Sequence, residues 1–291
     1  MLQYALDRDG ARAADVFTDS LPDMSHLRSV NIRKQSSEAF PFSVPAIRAM
    51  PKLSFDTAVT FFVGENGSGK STLLEGIALA ATLPTVGSKE VTNDQTLAAQ
   101  AALGRALKLV WSKRTRKGFF LRAEDFFGFT KQLAQMRAEM LQRLAEIDDE
   151  YADRSDYAKG FAKMPMASSL ADMERRYGVD LDASSHGQSF LRLFQSRFVP
   201  GGLYMLDEPE APLSPQSQLG LMAMMTDMIA REAQFIVATH SPILLAFPGA
   251  RIYSFDTAPI REVAYESLEH VTLTREFLKD PERFLRHLAR E

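Results

Sequence analysis

The chain has 291 residues, 45% of them hydrophobic, a formal net charge of −3 and no cysteine. That length exceeds one small compact core and points to a large α/β domain with an insertion, or to two domains. The missing cysteines exclude disulfide scaffolds, thiolate zinc sites and cysteine nucleophiles, the small net charge gives no global pull toward nucleic acid or anionic lipid, and apolar runs such as Phe235 to Ala238 have the length of strands rather than membrane spans.

The first residues include Asp7, Arg8, Asp9 and Arg12, unlike a secretory or organelle leader, so a cytoplasmic location without direct membrane insertion is expected. Leu27 to Ile32 and Phe40 to Ile47 are β-prone pieces broken by Pro41, Pro45 and Pro51, and they predict an antiparallel subdomain. Val59 to Val63 reads as a buried strand. It feeds Gly64-Glu65-Asn66-Gly67-Ser68-Gly69-Lys70-Ser71-Thr72, after which Leu73, Leu74, Ile77 and Ala78 share one helical face. Strand, glycine-rich loop, Lys-Ser and helix in that order form a phosphate-binding loop. Its glycines let successive N–H groups converge on phosphate oxygens at a helix N-terminus. Lys70 is placed to reach the β- and γ-phosphates and Ser71 to supply a hydroxyl to Mg²⁺. The chain is therefore expected to bind a nucleoside triphosphate.

Leu107 to Trp111 and Phe119 to Leu121 read as strands joined by Ser112 to Gly118 as a basic hairpin tip, with Trp111 in the core. Lys113, Arg114, Arg116 and Lys117 are either a solvated tip or a nucleic-acid contact. From Phe126 to Tyr151, Leu133, Met136, Met140, Leu144 and Ile147 recur at helical spacing. Polar, Gly- and Pro-containing sequence from Asp153 to Ser169 then precedes a short helix, Leu170 to Tyr177.

The last third alternates strand and helix: Leu203 to Leu206, Pro215 to Arg231, Phe235 to Ala238, Pro242 to Phe247 and Arg251 to Phe255. Such alternation predicts a largely parallel sheet. Ser214-Pro215, Ser241-Pro242 and Asp280-Pro281 each put a capping side chain before proline at the first helical position. Phe277, Leu278, Phe284, Leu285 and Leu288 form an amphipathic helix pair that packs on the sheet or at a dimer interface.

Two strand ends carry acid–base chemistry. Asp207 and Glu208 close one strand, and the pleat makes adjacent side chains diverge. Asp207 can face a metal while Glu208 faces the attacking water as general base or water-orienting group. His240 ends another strand, on the side of a parallel sheet where ligands bind, and can hydrogen-bond a γ-phosphate.

Ser184-Ser185-His186-Gly187-Gln188-Ser189 resembles the signature motif of ATP-binding-cassette ATPases, and Ser185 stands 22 residues before Asp207. Phosphate loop, signature, Asp-Glu strand and histidine follow the family's order, over about Leu27 to Asp256. The resemblance is closest to the small soluble branch related to RecF, structural-maintenance-of-chromosomes and OLD-type ATPases. It implies ATP with Mg²⁺ as ligands and an ATP-dependent homodimer in which Ser185, Gly187 and Gln188 contact the nucleotide of the other subunit. The pattern departs at His186, which replaces the first signature glycine, and at Ser214, which stands where transporter subunits carry aspartate. The family's glutamine after the central strand has no clear match, and Glu124 is the best-placed candidate for its metal and water contact. Phe40 or Phe42 either stacks on adenine or packs in the core.

The expected fold is α/β, of P-loop ATPase type: a mostly parallel central sheet flanked by helices, with an N-terminal antiparallel β subdomain and a helical insertion. Residues 1–125 and 184–291 would form the ATPase domain and 126–183 the helical subdomain. The expected function is an ATP hydrolase whose dimerisation acts on a protein or nucleic-acid partner, in DNA maintenance or defence. The alternatives are the nucleotide-binding subunit of a transporter and a slow switch for a toxin or nuclease partner.

Overall fold

The strands Val59–Val63, Leu203–Asp207 and Gln234–Ala238 are buried at every residue, which places them inside a sheet covered on both faces. The computed structural model describes residues 25–33, 38–86, 95–177 and 186–288. In chain order they form β1 (Leu27–Ile32), α1 (Pro45–Arg48), β2 (Leu53–Ser54), β3 (Val59–Val63), α2 (Lys70–Ala81), α3 (Gln95–Ala106) and β4 (Leu107–Trp111). There follow β5 (Gly118–Arg122), α4 (Ala123–Glu150), α5 (Asp156–Tyr177), α6 (His186–Arg197), β6 (Leu203–Asp207), α7 (Pro215–Ile229) and β7 (Gln234–Ala238). The chain continues through α8 (Pro242–Leu245), β8 (Arg251–Ser254), β9 (Arg261–Glu262), α9 (Glu269–Lys279) and α10 (Pro281–Leu288).

The central sheet has the order β5-β6-β7-β3-β8-β9, parallel except for β9. A separate antiparallel sheet has the order β2-β1-β4. Alternation along the strands splits the core in two. Phe61, Val63, Leu206 and Val237 point to one face, against Phe190 and Phe194 of α6 and Leu221 and Met225 of α7. Phe62, Met205, Ile236 and Ala238 point to the other, against Leu73, Leu74 and Ile77 of α2 and the antiparallel sheet. Two polar side chains in this core are paired: the Tyr204 hydroxyl donates to the Val199 carbonyl at 2.7 Å and accepts its N–H at 2.6 Å. Gln234 accepts the Leu27 N–H and donates to the carbonyls of Leu27 and Phe55, stapling the two sheets together.

Four sequence expectations change. Phe40 to Ile47 is a turn leading into α1, not a strand. Pro41 and Pro45 have no N–H to give a ladder, and Pro45 instead opens the helix. β4 and β5 are not a hairpin, because β4 pairs with β1 and β5 with β6 in the other sheet. The link between them is tied down by Thr115 to Gly201 and by Lys113 to Glu232. It ends at Gly118, whose φ of 115° and closeness to the Leu203 carbonyl leave no room for a side chain. The helix expected from Phe126 to Tyr151 spans Ala123–Glu150, and α5 is one 22-residue helix that runs through Pro165. Packing against α4, with Arg137 held to Glu174 by both Nε and Nη2, outweighs the backbone bond that proline removes. In α9 and α10 Val271 is buried, while Leu273, Leu278 and Leu285 stay exposed and Phe277 packs on Phe284.

Candidate functional site

β6, β7 and β3 are neighbours, so the residues that follow their carboxyl ends meet. After β3, Gly64, Gly67 and Gly69 adopt φ of 144°, 81° and 102°, a run of left-handed positions that curls the loop. A side chain at Gly69 would meet Val44 Cγ1 at 2.8 Å, so the turn before α1 is packed against the loop. Phe40 in that turn is exposed, and Phe42 packs against the second core. No side chain caps the start of α2, which leaves its first N–H groups open to an anion. Ser68 Oγ is buried and has no hydrogen-bond partner. Lys70 is buried and donates to the carbonyls of Gly64 and Glu65. Burial lowers its pKa, and the carboxylates of Glu208, Asp207, Asp256 and Glu210 oppose that shift. Asp256, just after β8, accepts the Glu65 N–H at 2.8 Å and anchors the loop's entry.

Asp207, the last residue of β6, accepts the Ser71 hydroxyl at 3.0 Å through Oδ1. Its carboxyl is pushed up to about 6, chiefly by burial, while Ser71 and Arg122 pull it down. A serine hydroxyl beside a buried carboxylate is the hard-oxygen donor set that suits Mg²⁺. Glu208 then turns out of the strand with φ of 51°, a left-handed conformation costly for a residue with a Cβ. Its carboxylate stands 3.8 Å from His240 Nε2. The His240 backbone N–H donates to Glu210 Oε1 at 2.7 Å, and its Nε2 is buried with no hydrogen-bond partner. Burial, then the charge of Lys70, lowers the imidazole pKa, so the ring is neutral at pH 7. Glu65, Asn66, Glu208, Glu210, Ala211 and His240 line a cleft of about 540 Å³ over this group.

The structure thus brings together the loop Gly64 to Thr72 with Asp207, Glu208 and His240. Gly187 and Gln188 stand in the first turn of α6 and do not line this cleft: a side chain at Gly187 would meet the Pro212 carbonyl at 3.1 Å, and Gln188 is exposed. Ser185 lies outside the described residues. Glu124 is exposed in the first turn of α4, and the β5 side chain that meets Asp207 is Arg122. Arg122, Glu75, Glu210 and Asp256 were not read from the sequence. Glu75 did leave a signal, a charge four residues after Ser71 on an otherwise apolar helix face. Glu210 stands in the run Asp207-Glu208-Pro209-Glu210.

A family profile described as an AAA domain matches residues 48–103, which hold the glycine-rich loop. The energy-coupling factor transporter ATP-binding protein EcfA2 of Streptococcus thermophilus is 25% identical over 228 residues, covering 74% of this chain and 71% of that protein. Among solved structures, the chain is similar to the ADP conformation of MJ1267, an ATP-binding cassette of an ABC transporter. The identity is 17%, with 92% of this chain and 99% of that one covered and a TM-score of 0.44. It is also similar to the Smc head domain with an extended coiled coil bound to the C-terminal domain of ScpA, derived from Pyrococcus furiosus. There the identity is 11%, the coverage 87% and 99%, and the TM-score 0.42.

Proposed function

Starting from the premise that this chain is a P-loop ATPase of the ATP-binding-cassette type, and so an ATP hydrolase, we propose that it works in the cytoplasm as an ATP-closed homodimer that acts on a nucleic-acid or protein partner. The observation that carries the reading is the contact of Ser71 with Asp207, with Glu208 and His240 beside it, in a cleft that Gly187 and Gln188 do not line. In this reading one copy holds the phosphate, metal and water groups. The signature residues are left for the nucleotide of a second copy.

In this reading Lys70 leaves the carbonyls of Gly64 and Glu65 for the β- and γ-phosphates, and Ser68 and the open N–H groups of α2 take phosphate oxygens. Ser71 and Asp207 would hold Mg²⁺, which when bound neutralises charge on the β- and γ-oxygens. Glu208 orients the attacking water and accepts its proton as the γ-phosphorus bond to the bridging oxygen breaks. The neutral His240, as its Nε2–H tautomer, donates to a γ-oxygen and so registers the γ-phosphate.

Glu208→Gln is expected to cut turnover by about 10²-fold or more and to trap the closed state. Light scattering should then find a dimer in Mg-ATP and a monomer when Lys70→Ala is added. A Glu208→Gln chain that stays monomeric at saturating Mg-ATP would sink the homodimer. The match to EcfA2 favours a second reading, an ATP-binding subunit of a membrane transporter. Co-fractionation of the tagged chain with membranes, resistant to nuclease, selects it over the first.

A further inference from the structure

Ser71 and Glu75 stand one turn apart on α2 and face the same neighbour, the carboxyl ends of β5 and β6. There Arg122 and Asp207 are register partners across the parallel pair. The Arg122 guanidinium spans two carboxylates. Its Nη2 lies 2.6 Å from Glu75 Oε1, and its Nε lies 3.5 Å from Asp207 Oδ2. The two acidic side chains are only 8% and 7% exposed. The oxygens of Asp207 are therefore divided, Oδ1 to Ser71 and Oδ2 to Arg122.

We propose that Arg122, held by Glu75, is a positioning residue for the metal site: its guanidinium fixes the Asp207 carboxylate with Oδ1 turned to Ser71. This rests on the reading of Asp207 and Ser71 as the metal-binding pair. Arg122 reaches the Asp207 carboxylate from the neighbouring strand, at the Oδ2 that Ser71 does not use. Two features make orientation, rather than charge alone, its contribution. A planar fork can satisfy two carboxylates at a fixed angle, which an ammonium on a flexible stem cannot. Glu75 reaches the fork from α2, the helix that also carries Ser71, so both metal-facing oxygens are referenced to one rigid element. Glu75 Oε2 is buried and unpartnered, which ties the acid's placement to Arg122 and the neighbouring Gln100 amide.

The test uses the full chain with ADP and Mn²⁺ as the probe, Mn²⁺ affinity being read from its free-ion electron paramagnetic resonance signal. Arg122→Ala removes the guanidinium that both acids share and is the variant most prone to unfold, so Arg122→Lys and Glu75→Gln carry the experiment. Both should bind ADP in EDTA as wild type does, and Arg122→Lys should need about tenfold more Mn²⁺ to fill the site. Glu75→Gln should move the same way by a smaller factor. Wild-type Mn²⁺ affinity in both variants would overturn the positioning role while leaving the nucleotide site standing. A wild-type chain that binds ADP but no Mn²⁺ overturns the metal-site reading itself.

Discussion

Arg122 and Arg143 each hold two acidic neighbours at similar distances and in opposite surroundings. Arg122 lies 2.6 Å from Glu75 and 3.5 Å from Asp207, at the carboxyl end of the central sheet, where both acids are buried. Arg143 lies 3.0 Å from Glu146 and 2.9 Å from Glu150 on α4, with every side chain between 44% and 51% exposed. Water screens the second group and can replace either partner, so its geometry has little thermodynamic weight. In the first group a lost partner leaves a charge that water cannot reach. Distance shows which groups touch, and burial decides what the contact is worth.

The comparison breaks if removal of the two arginines costs the same. Arg122→Ala removes the cation from between Glu75 and Asp207 and leaves Asp207 only the Ser71 hydroxyl and the charge of Lys70; it is expected to lower stability by about 3–5 kcal/mol. Urea unfolding measures it, and loss below about 1 kcal/mol would put this site with the surface pairs.

Asp207 sharpens the contrast with a change of sign. Its carboxyl pKa is raised to about 6 from an ordinary value of 3.8. The folded chain then holds the proton more tightly than the unfolded one. Ionising Asp207 costs no stability below about pH 4, and the full cost, about 3 kcal/mol at most, is in place above about pH 6. Asp207→Asn should therefore be more stable than wild type at pH 7.5 when nucleotide and metal are absent, with the advantage shrinking as pH falls through 6 toward 4. Unfolding midpoints at pH 4.5 and 7.5 read this out, and an advantage that does not depend on pH would remove ionisation as its cause. If Asp207 holds Mg²⁺ as proposed, added Mg²⁺ and nucleotide should reverse the order, because the asparagine variant lacks the carboxylate that would bind the ion.

The smallest expected effect is at α4, where Arg143→Ala should leave the urea midpoint unchanged within error at physiological salt. A measurable loss there would mean that the pairs on α4 and α5 act as a network rather than singly.

Much of the cleft was legible because its constraints are local. The three loop glycines were readable from spacing, and all three adopt positive φ. Ser214 and Ser241 were readable as caps: the Ser214 side chain accepts the Ser217 N–H and the Ser241 side chain accepts those of Ile243 and Leu244. The β4 to β5 connection was misread because two β-prone runs with a short basic link look the same whether the strands pair with each other or with β1 and β6. The helix over Asp156–Tyr177 was misread as largely irregular because Gly160 and Pro165 argue against helix locally, and only packing on α4 overrides them. Arg122 was not read from the sequence, because no local pattern says that a cation at the end of one strand stands beside the carboxylate that ends the next.

By itself the sequence determined the phosphate loop, the alternation that gives a covered parallel sheet, and the acids and histidine at its strand ends. Each follows from backbone sterics or side-chain periodicity within a few residues. Tertiary structure alone decided which distant groups meet: Ser71 with Asp207, 136 residues apart, and Gln234 with Leu27, 207 residues apart. The same holds for the guanidinium of Arg122 between Glu75 and Asp207. These contacts are set by strand order and by burial in a low-dielectric interior, and neither quantity is written in any local window of the chain.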